Sequence, residues 1–148
     1  MSISEKIAAD YKEALKAGDK NKVSVLRMIK ASMKNREIEK RAPLSDEEIQ
    51  AILMSFVKRA KESIEQFSKA GREDLVEKEK EESLVVQCYL PKQLGEDELR
   101  RIVKDVITEE GASGPKDTGK VMKSAMARLK GQAEGKLVSK IVKELLEA

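Results

Sequence analysis

The stretch LRRIVKDVITEEG, residues 99 to 111, decides the fold class of this chain. Its apolar residues recur at positions i, i+3, i+4, i+7 and i+8. They are Leu99, Ile102, Val103, Val106 and Ile107. Residues at these spacings share one face of a helix with 3.6 residues per turn, and Gly111 is placed to end that helix. The pattern predicts an amphipathic helix that buries an aliphatic stripe.

Two later segments repeat this pattern. GKVMKSAMARL begins at Gly119 and GKLVSKIVKEL begins at Gly135, and both have apolar residues 2, 3, 6, 7 and 10 positions after the glycine. The sixteen-residue spacing is too short for a solenoid repeat. We therefore expect residues 95–148 to form a small C-terminal helical bundle.

The first part of the chain carries helix signals separated by Gly and Pro. Ser2-x-x-Glu5 and Ser45-x-x-Glu48 have the form of capping boxes, and Asp19 is a further capping residue. The breakers Gly18, Pro43, Gly71 and Pro91 follow the apolar runs, and helices are predicted at about 4–17, 20–41, 46–70 and 73–89. No convincing strand pattern occurs. The predicted fold is all-α, with an N-terminal antiparallel helical unit (1–92) and the C-terminal bundle (95–148).

The composition argues against most catalytic chemistry. The chain has no His, which removes the commonest general base near neutral pH and the commonest metal ligand. A single cysteine, Cys88, excludes an internal disulfide and any multi-cysteine zinc site. Cys88 follows the apolar residues LVV, so we expect it to be buried. We predict no catalytic residue, no cofactor and no metal.

The start of the chain, MSISEKIAADYKEA, has charges where a signal peptide needs an apolar run. No stretch approaches 18 uncharged apolar residues, the length expected of a membrane-spanning helix. The sequence therefore predicts a cytoplasmic protein with no membrane partner.

The segment GPKDTGKV, residues 114–121, nearly matches the phosphate-binding loop of nucleotide hydrolases. That loop follows a buried strand and needs Ser or Thr after its Lys, but here a polar helix end precedes it and Val121 follows. Nucleotide binding of that type is therefore not expected. The glycines are better interpreted as helix breakers and helix-start residues with unusual backbone angles.

Charge is segregated within the C-terminal part. Residues 115–143 carry eight basic and two acidic residues, whereas residues 96–110 carry six acids and three bases. Two lysine rows at i, i+4, i+7 are predicted to lie on single helix faces: Lys116, Lys120, Lys123 and Lys136, Lys140, Lys143. The rows could be a solvated surface or a surface that follows a phosphate backbone, with helix N-termini beside them.

A further basic stripe on the second helix is spaced by seven residues. It comprises Lys20, Arg27, Lys34 and Arg41, with Lys30 close to the line. We interpret it as side chains that flank a buried seam.

Four segments together carry a family resemblance: VSVLRM (23–28), KAGREDLVEKE (69–79), YLPKQL (89–94) and the glycine-lysine elements of 119–138. With them the chain resembles the free-standing YqeY-like family, whose members share a domain with the C-terminal tail of the GatB polypeptide of the aspartyl/glutamyl-tRNA amidotransferase. The resemblance implies a two-part helical protein and a tRNA-contacting role.

By that resemblance, Lys120, Lys123, Lys130 and Lys136 are the preferred contacts to an RNA backbone. Two departures limit the comparison with the amidotransferase. The chain lacks the catalytic cradle of the GatB polypeptide, so it is not expected to transamidate by itself. It also has several more residues between the GKVMK and AEG elements than the amidotransferase tail.

Our leading hypothesis is a non-catalytic tRNA-binding or tRNA-linked accessory protein, with a protein partner in tRNA metabolism also considered. The predicted nucleic-acid-binding residues are Lys116, Lys120, Lys123, Lys130, Lys136 and Lys140. The alternative is a protein-interaction module that docks a partner enzyme through its N-terminal helices. A partly uncovered groove would support it, lined by Leu26, Ile29, Met33, Leu53 and Phe56.

Overall fold

The computed structural model describes residues 1–147, and that range contains seven α-helices and no strand. The helices are α1 (Ile3–Ala17), α2 (Lys20–Lys40), α3 (Asp46–Lys69), α4 (Glu73–Gln87), α5 (Glu96–Glu110), α6 (Thr118–Arg128) and α7 (Gly135–Glu147). A short 3₁₀ turn, Pro115–Asp117, precedes α6. The all-α prediction is confirmed. The chain divides into two compact units, Met1–Pro91 and Lys92–Ala148.

Three of the four helices of the N-terminal unit, α1, α2 and α3, begin at the capping residues that the sequence predicts. The Ser2 hydroxyl accepts from the Glu5 N–H at 3.1 Å, and an Asp19 carboxylate oxygen accepts from the Lys22 N–H at 3.2 Å. Ser45 and Glu48 form a reciprocal capping box, with both bonds at 3.2 Å. These bonds satisfy backbone donors that an isolated helix start leaves unpaired.

The N-terminal unit is built around one buried cluster to which all four of its helices contribute. Helix α3 packs along α4 and α1 packs along α2, while α2 also contacts α3 and α4. The cluster contains Ile7, Val25, Leu26, Ile29, Met33, Ile49, Leu53, Val57, Val86 and Tyr89. Aside from Tyr89, these are aliphatic side chains and one methionine, as the low aromatic content requires.

The C-terminal unit buries the three stripes that the sequence predicts. Helices α5, α6 and α7 contact one another in all three pairings. Their shared core comprises Leu99, Val103, Val106, Val121, Ala125, Leu129, Ala133, Val138, Ile141, Val142 and Leu146. Each helix thus buries one face in the core, and its opposite face is exposed to solvent or to a partner.

The prediction that Cys88 is buried is wrong. Its thiol is exposed, and Sγ donates to the Leu84 carbonyl at 3.3 Å. Cys88 lies at the C-cap of α4, one turn beyond Leu84, which is itself 62% exposed. The helix period places Val86 and Tyr89 in the core and turns the Leu84–Cys88 side outward.

Tyr89 ties the end of α4 to α1. Its side chain is 7% exposed, and its hydroxyl donates to Asp10 Oδ2 at 2.5 Å. Burial, and then the bond to Asp10, raise the pKa of the Tyr89 phenol. The neutral phenol is therefore the form that the folded state favours.

Replacing Tyr89 with Phe should lower the free energy of unfolding by about 1–2 kcal/mol, because the partly buried hydrogen bond to Asp10 is lost while the ring remains. Urea denaturation at neutral pH measures this difference. A variant as stable as the wild type would contradict the contribution assigned to this bond.

The same pair predicts a pH dependence. A phenol whose pKa is raised on folding contributes stability below its unfolded value of about 10, and this contribution is lost as the pH rises above that value. The stability difference between wild type and Tyr89→Phe should therefore shrink as the pH rises above about 10. A difference that stays constant across this range would show that Tyr89 does not titrate as described.

Candidate nucleic-acid interface

Helix α7 presents a row of lysines on its exposed face. Val138, Ile141 and Val142 are fully buried in the core. The helix period places Lys136, Lys140 and Lys143 on the opposite side, and all three are exposed. Within residues 1–147, Lys136 and Lys143 form no ion pair with a carboxylate, so their charge is available at the surface.

The row predicted on α6 is shorter than expected. Lys120 and Lys123 are exposed on the side of α6 away from Val121. Lys116 is exposed as well, but it lies in the 3₁₀ turn and not on α6. The single face proposed for the three lysines is therefore wrong, because Pro115 starts a tighter turn and α6 begins only at Thr118.

Acids at the end of α5 neutralise part of the basic charge on α6. Lys120 Nζ donates to the Glu110 carbonyl at 3.3 Å and lies 3.7 Å from Glu110 Oε2. Arg128 pairs with Glu109, and this hydrogen bond raises the pKa of the guanidinium. The sequence shows the two acids but not the bases that they meet, because the paired residues lie ten and nineteen positions apart.

Arg100 forms one ion pair within α5 and another that joins α5 to α7. The Arg100 guanidinium donates to Glu96 at 2.9 Å and to Glu144 at 2.6 Å. The hydrogen bond from Arg100 lowers the pKa of the Glu144 carboxyl, and the charge of Lys140 lowers it further. Lys140 therefore lies in the field of one acid, whereas Lys136 lies a turn farther from that acid.

Lys130 is exposed in the connection between α6 and α7. Three bonds hold this connection to the segment before α5. The Leu94 N–H donates to the Gln132 carbonyl at 3.0 Å, Gln93 donates to the Gly131 carbonyl at 2.6 Å, and Gln132 donates to the Lys92 carbonyl at 3.4 Å. Lys130 is thus displayed from an anchored loop.

The N-termini of α6 and α7 do not lie close together. Gly135, the first residue of α7, lies beside the last turn of α6, where a Cβ added to it would be 3.9 Å from Met126 Cε. Thr118, the first residue of α6, is about 12 Å farther along that helix. The connection returns the chain from the end of α6, so the starts of α6 and α7 cannot bind one anion together.

Backbone conformation does not explain the glycine at 119. The glycines with positive φ are Gly18, Gly71, Gly111 and Gly131. Gly119 is not among them, and no atom lies within 4 Å of a Cβ built on it. The interpretation of Gly119 as a residue with an unusual backbone angle is therefore wrong. The Asp117 side chain does not cap α6, because it accepts from the Ser113 N–H at 3.0 Å.

The docking groove predicted in the N-terminal unit is not open. Leu26, Ile29 and Leu53 are fully buried and Met33 is 7% exposed, since all four belong to the core. A smaller cleft of about 200 Å³ lies between α2, α3 and α4. Met28, 44% exposed, lines this cleft together with Phe56, Arg59, Glu79 and Glu82, among others.

Residues 1–147 were also compared with the arrangements expected of a metal site and of a membrane-spanning helix. In residues 1–147 no group of three or more His, Cys, Asp or Glu side chains is arranged to hold a metal ion. In the same range no helix combines the length and apolar character needed to cross a membrane.

The family model for Yqey-like proteins matches residues 4–146. A protein of Pyrenophora tritici-repentis, named altered inheritance of mitochondria protein 41, mitochondrial, is 32% identical over 97% of this chain and 80% of its own length. The protein of the same name from Eremothecium gossypii is 39% identical over 55% of this chain and 45% of its own length. That of Vanderwaltozyma polyspora is 29% identical over 73% of this chain and 62% of its own length.

These relatives contradict the cytoplasmic location predicted from the sequence, because all three are named as mitochondrial proteins. That prediction was based on the first residues of the chain, which were compared only with the pattern of a secretory signal peptide. The family match, in contrast, extends over nearly the whole chain and agrees with the all-helical fold. The chain belongs to the YqeY-like family.

Proposed function

We propose that this protein binds tRNA without catalysing a reaction on it and acts as an accessory protein in tRNA metabolism. The contact surface is the set of exposed lysines Lys116, Lys120, Lys123, Lys130, Lys136 and Lys140. The observation that carries the proposal is the lysine row on α7, which faces away from the core. The resemblance to the amidotransferase tail supports tRNA as the polyanion.

Recognition of phosphate backbone and shape fits this surface better than recognition of bases. Stacking on bases requires exposed aromatic rings, and the chain has two Tyr, two Phe and no Trp. Tyr89 is buried in the N-terminal core, and the C-terminal unit has no aromatic residue in its sequence. Lysines on a rigid helix can instead follow phosphates and release counterions, which makes binding weaken with salt.

The six lysines should not contribute equally. Lys120 must leave Glu110 before it can contact a phosphate, whereas Lys136 has no carboxylate partner within residues 1–147. Breaking an existing pair offsets part of any new Coulombic gain. Lys136 is therefore assigned the larger share of the affinity.

A variant with Lys123→Gln, Lys136→Gln and Lys140→Gln should bind labelled tRNA on the order of tenfold more weakly at about 50 mM salt. The slope of log affinity against log salt should fall by about two, because each phosphate contact contributes roughly 0.7–0.9. Fluorescence anisotropy at about 50 and 200 mM salt measures both quantities. Lys136→Gln alone should cost more affinity than Lys120→Gln alone.

The control for this measurement removes the same charge from the N-terminal unit, through Lys61→Gln, Lys69→Gln and Lys78→Gln. These residues are exposed on α3 and α4. The control should bind like the wild type. Equal affinities for the control and the C-terminal variant would contradict the assigned surface.

Gly119→Ala should separate stability from binding. The added methyl group meets no atom, and Ala is the better helix former, so the free energy of unfolding should rise by about 0.4–1 kcal/mol. Affinity for tRNA should fall, because the methyl group obstructs a phosphate that approaches the uncapped start of α6. Urea denaturation and anisotropy test the two effects on one sample.

Gly95→Ala is the matched control for binding, since it adds the same methyl group at the acidic start of α5 and also meets no atom. It should leave the affinity for tRNA unchanged. A stabilised Gly119→Ala variant with wild-type affinity would show that no phosphate approaches this backbone.

A second function, docking of a partner protein, is favoured by the cleft between α2, α3 and α4. The exposed side of Met28 offers an apolar contact, and Glu79 and Glu82 add negative charge to the lining. Burial, and then the charge of Glu82, raise the pKa of Glu79. A cation would relieve this destabilised carboxylate, so the occupant we propose is an amphipathic helix with a basic residue.

Affinity capture from cell extract, with and without nuclease, discriminates this function from RNA binding. Cleft docking predicts a partner that survives nuclease with the wild type and is lost with Met28→Glu, which places a charge in the cleft. Loss of every partner on nuclease treatment would contradict docking and favour RNA.

A further inference from the structure

The N-terminal unit contains a segment in which basic residues are denser along the sequence than in the C-terminal unit. Residues 20–36 contain six basic residues and no acid, and Asp19 and Glu37 are the nearest acids on either side. The bases are Lys20, Lys22, Arg27, Lys30, Lys34 and Arg36. The excess of +6 in these 17 residues equals the excess that residues 115–143 spread over 29.

Four of these cations share one side of α2 and are called here the α2 row: Lys20, Arg27, Lys30 and Lys34. All four are exposed. Lys20, Arg27 and Lys34 are spaced by seven residues, which is about two turns and 10.5 Å of helix for each step. Leu26, Ile29 and Met33 lie in the core, and the row runs along the side of α2 next to this apolar face, where Arg27 and Lys30 contact α1.

Tyr11 of α1 positions the centre of the α2 row without neutralising it. Arg27 donates to the Tyr11 hydroxyl from Nε at 3.4 Å and from Nη2 at 3.3 Å. Lys30 Nζ lies 4.3 Å from the centroid of the Tyr11 ring. The Tyr11 side chain is not a carboxylate, so it restricts the motion of both cations without pairing them with an opposite charge. A ligand then loses less side-chain entropy on binding.

The α2 row also lacks the acid partners that reduce the charge of α6. Within residues 1–147 none of its four cations forms an ion pair with a carboxylate, whereas Lys120 and Arg128 both do. Arg36 and Lys40, farther along α2, are paired with Glu39 and Glu48. The cations of the α2 row, which lack a carboxylate partner, therefore lie between Lys20 and Lys34.

We propose that the α2 row is a second contact surface for the phosphate backbone of folded RNA. This rests on the proposed function and extends it to the N-terminal unit. A helix-borne row of cations about 10.5 Å apart suits a polyanion with regularly spaced charges. Basic helices that bind membranes insert an apolar face, and the apolar face of α2 is already buried in the core.

The test compares labelled tRNA and a double-stranded RNA hairpin as probes for four full-length proteins. The first is the wild type, and the second is the row variant, which combines Lys20→Gln, Arg27→Gln and Lys34→Gln. The third is the C-terminal variant described above, with Lys123→Gln, Lys136→Gln and Lys140→Gln. The fourth is the control described above, with Lys61→Gln, Lys69→Gln and Lys78→Gln. The row variant keeps Lys30 and Tyr11 in contact, and circular dichroism verifies its fold. All four are titrated at about 50 and 200 mM salt.

The row variant is expected to lose on the order of tenfold in affinity at the lower salt, and its salt slope should fall by about two. The control is expected to match the wild type. If the row variant is folded and binds like the control, while the C-terminal variant binds more weakly, the α2 row is not a contact surface and the C-terminal surface is supported. The reverse result supports the α2 row and contradicts the C-terminal surface.

Two results with the wild-type protein also test the RNA target and the two surfaces. Binding to the hairpin without binding to tRNA contradicts tRNA as the target, and the α2 row is then judged on the hairpin alone. If the wild type binds neither RNA, both proposed surfaces are contradicted.

Discussion

Burial of one aliphatic stripe from each helix is the constraint on which the rest of this structure depends. In the C-terminal unit α5, α6 and α7 each contribute to one shared core, and full burial of a Val, Leu or Ile side chain is worth roughly 1.5–3 kcal/mol. With 39% charged residues and no Trp, the chain has few apolar groups beyond these stripes. The charged residues are therefore displaced to the outer faces.

The availability of a surface cation depends on which acids the packing brings near it. The counts alone make residues 115–143 as basic as residues 20–36. Packing of α5 against α6 then pairs Lys120 with Glu110 and Arg128 with Glu109, while Tyr11 holds Arg27 and Lys30 without an opposing charge. The α7 row and the α2 row are thus two surfaces at which positive charge remains accessible. Both follow from helix packing and neither requires a special backbone conformation.

The helix boundaries could be predicted because local chemistry determines them. Ser2, Asp19 and Ser45 bond to donors three residues away, and an apolar period can be read from a single segment. Contacts between distant residues could not be read in this way. Glu110 lies ten residues before Lys120, and Arg27 lies sixteen residues after Tyr11, so pairing them requires the packed helices. The exposure of Cys88 depends on where α4 ends, and the position of Lys116 depends on where α6 begins. A shift of one turn in either boundary would change the result.

Chemical-shift mapping of the ¹⁵N-labelled protein during titration with tRNA tests the central claim most directly, because it reports on every backbone amide at once. We expect the largest perturbations along the exposed sides of α7 and α2, with the acidic first turn of α5 unaffected. These perturbations should diminish together as salt is added. Perturbations concentrated at the cleft beside Met28, or an unchanged spectrum at saturating tRNA, would contradict the assignment of these two lysine-bearing faces as the binding surface.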